Sequence, residues 1–251
     1  MTKRAMVTGA SEGIGRVFAR ALAGRGYAVT AVARSEAKLK ELAAEVGSGV
    51  EALSADLSTA EGQRAAVAAL EAGGFDLLVN NAGVGLVGPF AEAEVERVQA
   101  MLRLNCEAVV ALSHAFLKGA KRGDALVNVS STLAFMPSPG LGAYAATKAF
   151  VTSFSEALWY EQRERGVYVL GLCPGITSTR FQENAGGSKD DVPQGMAQTA
   201  EQVVDEALAA LDARSRPTVI TGVQNKAGAV ITRALPRKAL VSVMGRAVMK
   251  R

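Results

Sequence analysis

Residues 4–15 read RAMVTGASEGIG. A short apolar run closes in three glycines, Gly9, Gly13 and Gly15, set as G-x-x-x-G-x-G. Glycine lets a chain turn tightly and lets a phosphate approach the backbone, while the helix that follows presents free N–H groups and a partial positive charge. Alone, such a turn is a weak sign, because glycines end many strands. Its weight comes from its place, in the first strand–helix unit of an alternating pattern.

That alternation continues. YAVTAVAR (27–34), VEALSADL (50–57), FDLLVNNAG (75–83), DALVNVSS (124–131) and VYVLGLCPG (167–175) are short runs rich in Val, Leu and Ala, and they read as buried strands. Helical stretches fall between them at 13–25, 35–46, 59–72, 92–119 and 143–165. The pattern predicts an α/β fold, a Rossmann-like doubly wound parallel sheet flanked by helices. One domain is expected over residues 1–251: a core over 1–180, a substrate loop over 180–199 and a basic amphipathic segment over 226–251. Ligands of such sheets bind at the carboxyl ends of the strands, so function should be sought there.

Composition narrows the classes. With 251 residues, 49% hydrophobic and 21% charged, the chain can build one soluble core. No uninterrupted apolar run approaches the roughly 18 residues of a membrane span. Lys3 and Arg4 run straight into AMVTGA, which leaves no room for a signal peptide, so a cytoplasmic setting is expected. Cys106 and Cys173 are too few for a disulfide framework and too far apart for a metal site, so no metal is expected. The single histidine, His114, has no partner pattern and reads as a helix residue in the core or at an interface. Metal hydrolysis and Ser-His-Asp chemistry are thereby set aside.

Charge is unevenly spread. From Ala213 to Arg251 there are nine basic residues and no acidic one, which leaves 19 basic against 24 acidic residues in the first 212, a balance of −5. Arg34 closes the second strand 19 residues after Gly15. An acid near that point would suit the ribose 2′-hydroxyl of NAD, whereas arginine suits the 2′-phosphate of NADP with its planar fork. NADP is favoured, although Glu12 is an acid where a second basic residue would have helped. Further on, YAATKAF (144–150) sets Tyr144 and Lys148 four residues apart in a helix-forming run, hence on one face.

Taken together, TGASEGIG (8–15), Asp56 at the end of the third strand, NNAG (80–83), Asn105, NVSS (128–131), YAATK (144–148) and PGITST (174–179) resemble the short-chain dehydrogenase/reductase family, from about residue 4 to about residue 180. The resemblance implies roles. Tyr144 would be the general acid or base at a carbonyl oxygen, Lys148 would lower its pKa and hold the nicotinamide ribose, Ser131 would donate to the oxyanion, and Asn105 would bend its helix and hold a relay water. Gly9, Ser11, Gly13, Ile14 and Gly15 would take the pyrophosphate, Arg34 the 2′-phosphate, and Asp56 with Leu57 the adenine. Asn81, Ala82 and Gly83 would pass the adenosine ribose, and Pro174, Gly175, Ile176 and Thr179 would lie against the nicotinamide. NADP (NADPH) is the cofactor so implied, with a small carbonyl or alcohol compound as substrate. Assembly as a homodimer or homotetramer through the two long helices is implied as well.

The segment that sets the substrate names none. Residues 180–199 read as a mobile loop, and Leu86, Val87, Phe90, Leu133, Phe135 and Met136 suggest an apolar pocket. Past Pro236, an amphipathic helix places Leu240, Val241, Val243, Met244, Ala247 and Val248 on one face, with Lys238, Arg246 and Lys250 opposite. Such a helix suits an anionic membrane, an acidic carrier such as coenzyme A or acyl carrier protein, or simple docking on the domain. Two rivals to a plain carbonyl reductase stay open: a 3-oxoacyl thioester reductase, and a non-catalytic NADP-binding sensor or regulator. Nucleic-acid binding is not expected, since the basic residues lack interleaved aromatics.

Overall fold

In the computed structural model, which describes residues 2–187 and 197–248, β1 (Arg4–Thr8) lies inside a parallel sheet with every residue after Arg4 buried. Six strands join it: β2 (Ala28–Ala33), β3 (Val50–Ser54), β4 (Leu77–Asn80), β5 (Ala125–Val129), β6 (Tyr168–Cys173) and β7 (Thr218–Ile220), in the order β3-β2-β1-β4-β5-β6-β7. The expected doubly wound sheet is present. The order reverses between β1 and β4, and the crevice at such a switch point is the general ligand site of the fold.

Side chains alternate faces along each strand and feed two cores. Ala5, Val7, Val79, Val127 and Leu170 pack with α1 (Gly13–Gly24), α2 (Glu36–Val46) and α8 (Ala200–Ala213) through Phe18, Leu22, Leu39, Leu42, Val203 and Leu208. Met6, Leu78, Leu126 and Val169 face the other way, onto Leu70 of α3 (Ala60–Gly73), Leu112 and Phe116 of α5 (Ala108–Gly119) and Leu158 of α6 (Gly142–Gln162). Each of the fully buried leucines is worth about 2 kcal/mol of transfer free energy.

Several expectations need correction. The helix placed at 92–119 starts at Val95. It runs as α4 (Val95–Leu102), a π turn (Arg103–Glu107) and α5. Val95–Gly119 is 25 residues long and apolar enough, by length and composition, to cross a membrane, which the absence of an unbroken apolar run had hidden. Half of its most apolar window is buried inside the domain, which accounts for that character. His114 lies in the helix α5 as expected, and its exposure excludes the core reading while leaving the interface one. Asp56 lies two residues beyond β3 and does not close it. The first part of the 180–199 loop is helical, α7 (Phe181–Asn184), and its far end is tied back where Gln198 bridges Thr177 and accepts from the Ser178 N–H. Residues 188–196 lie outside the described residues.

The C-terminal part follows as α9 (Val223–Ala234) and α10 (Arg237–Val248). α10 starts after Pro236 as expected, but its apolar face is not covered as a unit: Leu240 is buried, while Val241 and Val243 are exposed. The burial of Ala247, Val248 and Lys250 is outside the described residues.

Candidate active site

The glycine turn sits at the switch point and is built so that only glycine fits. Gly9 and Gly13 have φ of +68° and +56°, the left-handed region that side chains rarely adopt. A β-carbon on Gly15 would overlap the Gly9 carbonyl oxygen and the Asn81 amide. α1 starts at Gly13 with Glu12 as its N-cap, and the Glu12 side chain makes no capping hydrogen bond. The first-turn N–H groups of α1 are therefore offered to a ligand, as the pyrophosphate cradle requires. Gly15→Ala is expected to cost about 1–3 kcal/mol by overpacking. The check is a lowered melting temperature with lost NADPH affinity; an unchanged melting temperature would contradict the clash.

Around this turn, polar groups are spent on positioning. Asn81 donates its side-chain amide to the Thr8 and Gly9 carbonyls, and its own N–H donates to the Thr8 hydroxyl. It fixes the end of β4 against the turn, leaving Ala82 and Gly83 to line the path beyond. Asp56 accepts from the Ser58 N–H and hydroxyl through one carboxylate oxygen. Leu57 is buried in the core and its carbonyl accepts from Gln63.

Arg34 is exposed at the end of β2, and a second basic residue stands four positions on, in the first turn of α2. Lys38, in the first turn of α2, reaches back to Glu12 with Nζ 2.9 Å from the carboxylate. The lysine hydrogen bond holds the Glu12 carboxyl below its usual range. A second basic group near the end of β2 thus comes from α2, with Glu12 as its partner. Glu12 also accepts from the Asn184 amide at 2.9 Å, so the glycine turn touches the segment over the substrate site.

The candidate reacting groups collect at the end of β5, in the π turn and on the first turns of α6. Tyr144 and Lys148 share a face as expected and both are buried, with the ammonium 5.7 Å from the phenol ring centroid. Ser131 follows β5, accepts from the Leu133 N–H and lies close enough to Tyr144 to hold its phenol down, while Ser130 donates to the Lys148 carbonyl and packs on Thr152, a structural task. Asn105 is fully buried in the π turn. It accepts from the Val84 N–H at 3.0 Å and donates to the Val84 carbonyl at 2.9 Å and to Thr147 at 3.1 Å. The π turn is the bend expected there, and such bulges concentrate at functional sites. Gly83 keeps the space between Asn105 and Lys148 open, since a β-carbon would come within 3.2 Å and 3.3 Å of their polar ends.

One expectation on electrostatics is overturned. Burial pushes the Tyr144 phenol well above its ordinary range, with only the Ser131 hydrogen bond opposing, whereas Lys148 was expected to bring it down. Burial also lowers Lys148 to about 8, with Cys106 and Cys173 pulling the other way. The ammonium instead donates to the Val129 carbonyl at 2.9 Å. Cys173 is fully buried and contacts Thr152, which fits a small apolar residue, although it lies close enough to Lys148 to affect its charge.

The Pro174–Thr179 turn closes the far side. Thr179 packs on Gly13, and Asn225 of α9 lies against Gly175 so tightly that no β-carbon fits there. Phe181 stands over Tyr144 with ring centroids 5.5 Å apart. Lys38, Phe181 and Asn225 were missed by sequence reasoning, although Lys38 carried a signal in its position one helical turn from Arg34. Of the expected pocket, Leu86, Val87 and Phe90 line a cavity of about 240 Å³ with Ala93 and Ala143. Leu133 instead packs against Tyr144 and its neighbours.

Comparison with known proteins agrees with this geometry. Residues 3–190 match the short chain dehydrogenase family model. Hydroxysteroid dehydrogenase-like protein 1 of Gallus gallus is 33% identical over 70% of the chain, which spans 56% of that protein's length. A 3-oxoacyl acyl-carrier-protein reductase of Vibrio cholerae is 34% identical over 70% of the chain and 74% of its own. Among solved structures, a short-chain dehydrogenase from Sphingobium yanoikuyae in complex with NADPH superposes with a TM-score of 0.81 at 32% identity, covering 96% of this chain and 95% of that one. The chain belongs to the short-chain dehydrogenase family.

Proposed function

We propose that this protein is an NADP(H)-dependent oxidoreductase that interconverts a ketone or aldehyde and an alcohol, working in a cytoplasmic setting. The observation that carries the reading is the burial of Ser131, Tyr144 and Lys148 together, next to a glycine turn that leaves the N–H groups of α1 uncapped. The cradle, Arg34 and Lys38 suit a dinucleotide with a 2′-phosphate, and the Sphingobium neighbour was solved with NADPH. When bound, the nicotinamide supplies or accepts hydride at the carbonyl carbon.

The chain's own residues handle the proton and the charge. In reduction, Tyr144 gives its hydroxyl proton to the carbonyl oxygen, and Ser131 donates a hydrogen bond to the same oxygen as negative charge develops on it. Burial keeps the phenol protonated at neutral pH, the state reduction needs, and reduction runs where NADPH predominates over NADP. Lys148 holds a positive charge behind the phenol, and Asn105 fixes Val84 and the wall beside Gly83.

Because Lys148 is lowered to about 8, its charge is present below that pH and lost as pH rises through it. The reductive kcat/KM should therefore be flat toward neutrality and fall on the alkaline side with a midpoint near 8. A profile that climbed through that range would contradict the role given to Lys148.

Similarity to the Vibrio reductase favours a second reading within the same chemistry, reduction of a 3-oxoacyl thioester. The test of both is NADPH oxidation followed against small aldehydes, bulky ketones and 3-oxoacyl thioesters, with NADH in parallel. Turnover with NADPH supports the reading, and the best substrate decides between its forms. Tight NADPH binding without turnover on any of them would favour the non-catalytic sensor. Exposed Val95, Leu102, Val110, Phe150 and Tyr160 on α4, α5 and α6 support assembly with further copies through these helices.

A further inference from the structure

The helix pair α9–α10 keeps apolar side chains in water where nothing in the domain needs them. Val223 is 81% exposed, Val230 69%, Ile231 59%, Val243 58%, and Val241 and Leu235 are exposed as well. On α9, Val223, Val230 and Ile231 fall at i, i+7 and i+8, one face of the helix. The opposite face holds α9 to the protein: Ala229 is buried, Asn225 presses on Gly175, and Lys226 pairs with Glu206 of α8. On α10, Leu240 is buried, and Val241 and Val243 flank it on the solvent side.

The same stretch is purely basic. No acid follows Asp212 in the sequence, and Arg237, Lys238 and Arg246 are exposed on α10. Residues 1–212 carry the opposite balance, −5, so the molecule is polarised, with its cationic end on these helices. We propose that α9 and α10 form a docking surface for an anionic lipid bilayer, with the exposed valines and Ile231 entering the interfacial layer and Arg237, Lys238 and Arg246 meeting the headgroups.

Charge decides against the other occupants. A second copy docked on this face by a two-fold axis would bring two purely cationic patches together, and like charges so placed repel. An acidic carrier would answer the charges but leave the aliphatic face wet. A bilayer with acidic headgroups answers both, since apolar burial and attraction of basic side chains add at its surface.

The surface also borders the proposed reaction site. Asn225 lies on the Pro174–Thr179 turn, α9 packs on the turn Thr132–Phe135 that follows Ser131, and Gly245 of α10 meets Pro139. Docking would bring the mouth of the site to the lipid, so that a lipophilic carbonyl compound reaches it from the membrane; that consequence rests on the reductase reading, whereas the surface itself does not.

Flotation of the full chain with phosphatidylglycerol–phosphatidylcholine vesicles, against phosphatidylcholine alone, tests it. The protein should float with the anionic vesicles only and be released by salt. Binding should fall about tenfold in Val230→Ser/Ile231→Ser and again in Arg237→Gln/Lys238→Gln, with melting temperature and NADPH affinity unchanged. Failure to float at low salt would overturn the proposal, as would equal flotation of the Val230→Ser/Ile231→Ser variant. Dissociation of an oligomer in that variant, seen by sedimentation velocity, would assign the face to a second copy instead. Turnover of a water-soluble carbonyl compound, followed alongside, keeps failure of the surface separate from failure of the reductase reading.

Discussion

Tyr144→Phe should abolish carbonyl reduction, lowering kcat/KM by about 10²–10⁴-fold while NADPH binding stays within a few-fold of the parent. The ring is buried between Phe181 and the side of Lys148, and phenylalanine fills the same space, so the fold has no reason to change. What disappears is one proton donor at the reacting oxygen. Ser131 remains and can still donate a hydrogen bond, but its hydroxyl is far too weak an acid to replace the phenol. Ser131→Ala should therefore cost less than Tyr144→Phe, and the double variant should cost little more than the larger single one if the two act on the same oxygen. Equal turnover by Tyr144→Phe and parent would remove Tyr144 from the chemistry.

Arg34→Ala should weaken NADPH by about 10–100-fold and leave NADH nearly untouched, because the lost interaction is a charge-assisted hydrogen bond to the 2′-phosphate alone. Lys38 gives this prediction a second arm. In the free protein its ammonium is 2.9 Å from the Glu12 carboxylate, so part of its charge is already answered. Lys38→Ala should cost NADPH affinity less than Arg34→Ala does. Glu12→Gln should tighten NADPH by about threefold, in keeping with the small worth of a partly exposed ion pair. Fluorescence titration of the reduced cofactors reads all three variants without turnover. Parallel losses for NADPH and NADH in Arg34→Ala would show that Arg34 holds something other than the 2′-phosphate.

How far the chain could be read follows from where its constraints are local. Six of the seven strands were visible because buried parallel strands need short apolar runs, and the glycine turn was visible because only glycine fits beside the Gly9 carbonyl. β7 escaped because three residues, Thr218–Ile220, carry no periodicity. α8 went unread although Thr199 and Gln202 form a capping box in front of Val203, Val204, Ala207 and Leu208, a signal that was present. At the site, Tyr144, Lys148, Ser131 and Asn105 are met in the chain as recognisable types at fixed spacing. The Lys38–Glu12 pair joins residues 26 apart, and Phe181 and Asn225 reach the site only once the sheet brings the strand ends together. The pKa of Tyr144 was misread for a related reason: proximity to Lys148 follows from helical spacing, whereas burial depends on everything packed over the ring.

The most direct test of the catalytic reading is a single turnover with NADPH carrying deuterium at the transferable position of the nicotinamide, using the best carbonyl substrate and analysing the product by mass spectrometry. The product alcohol should contain one deuterium on the former carbonyl carbon, and Tyr144→Phe should bind the same cofactor yet form no labelled alcohol on the same timescale. An unlabelled alcohol, or full labelling by Tyr144→Phe, would contradict NADPH-linked reduction with Tyr144 as the acid.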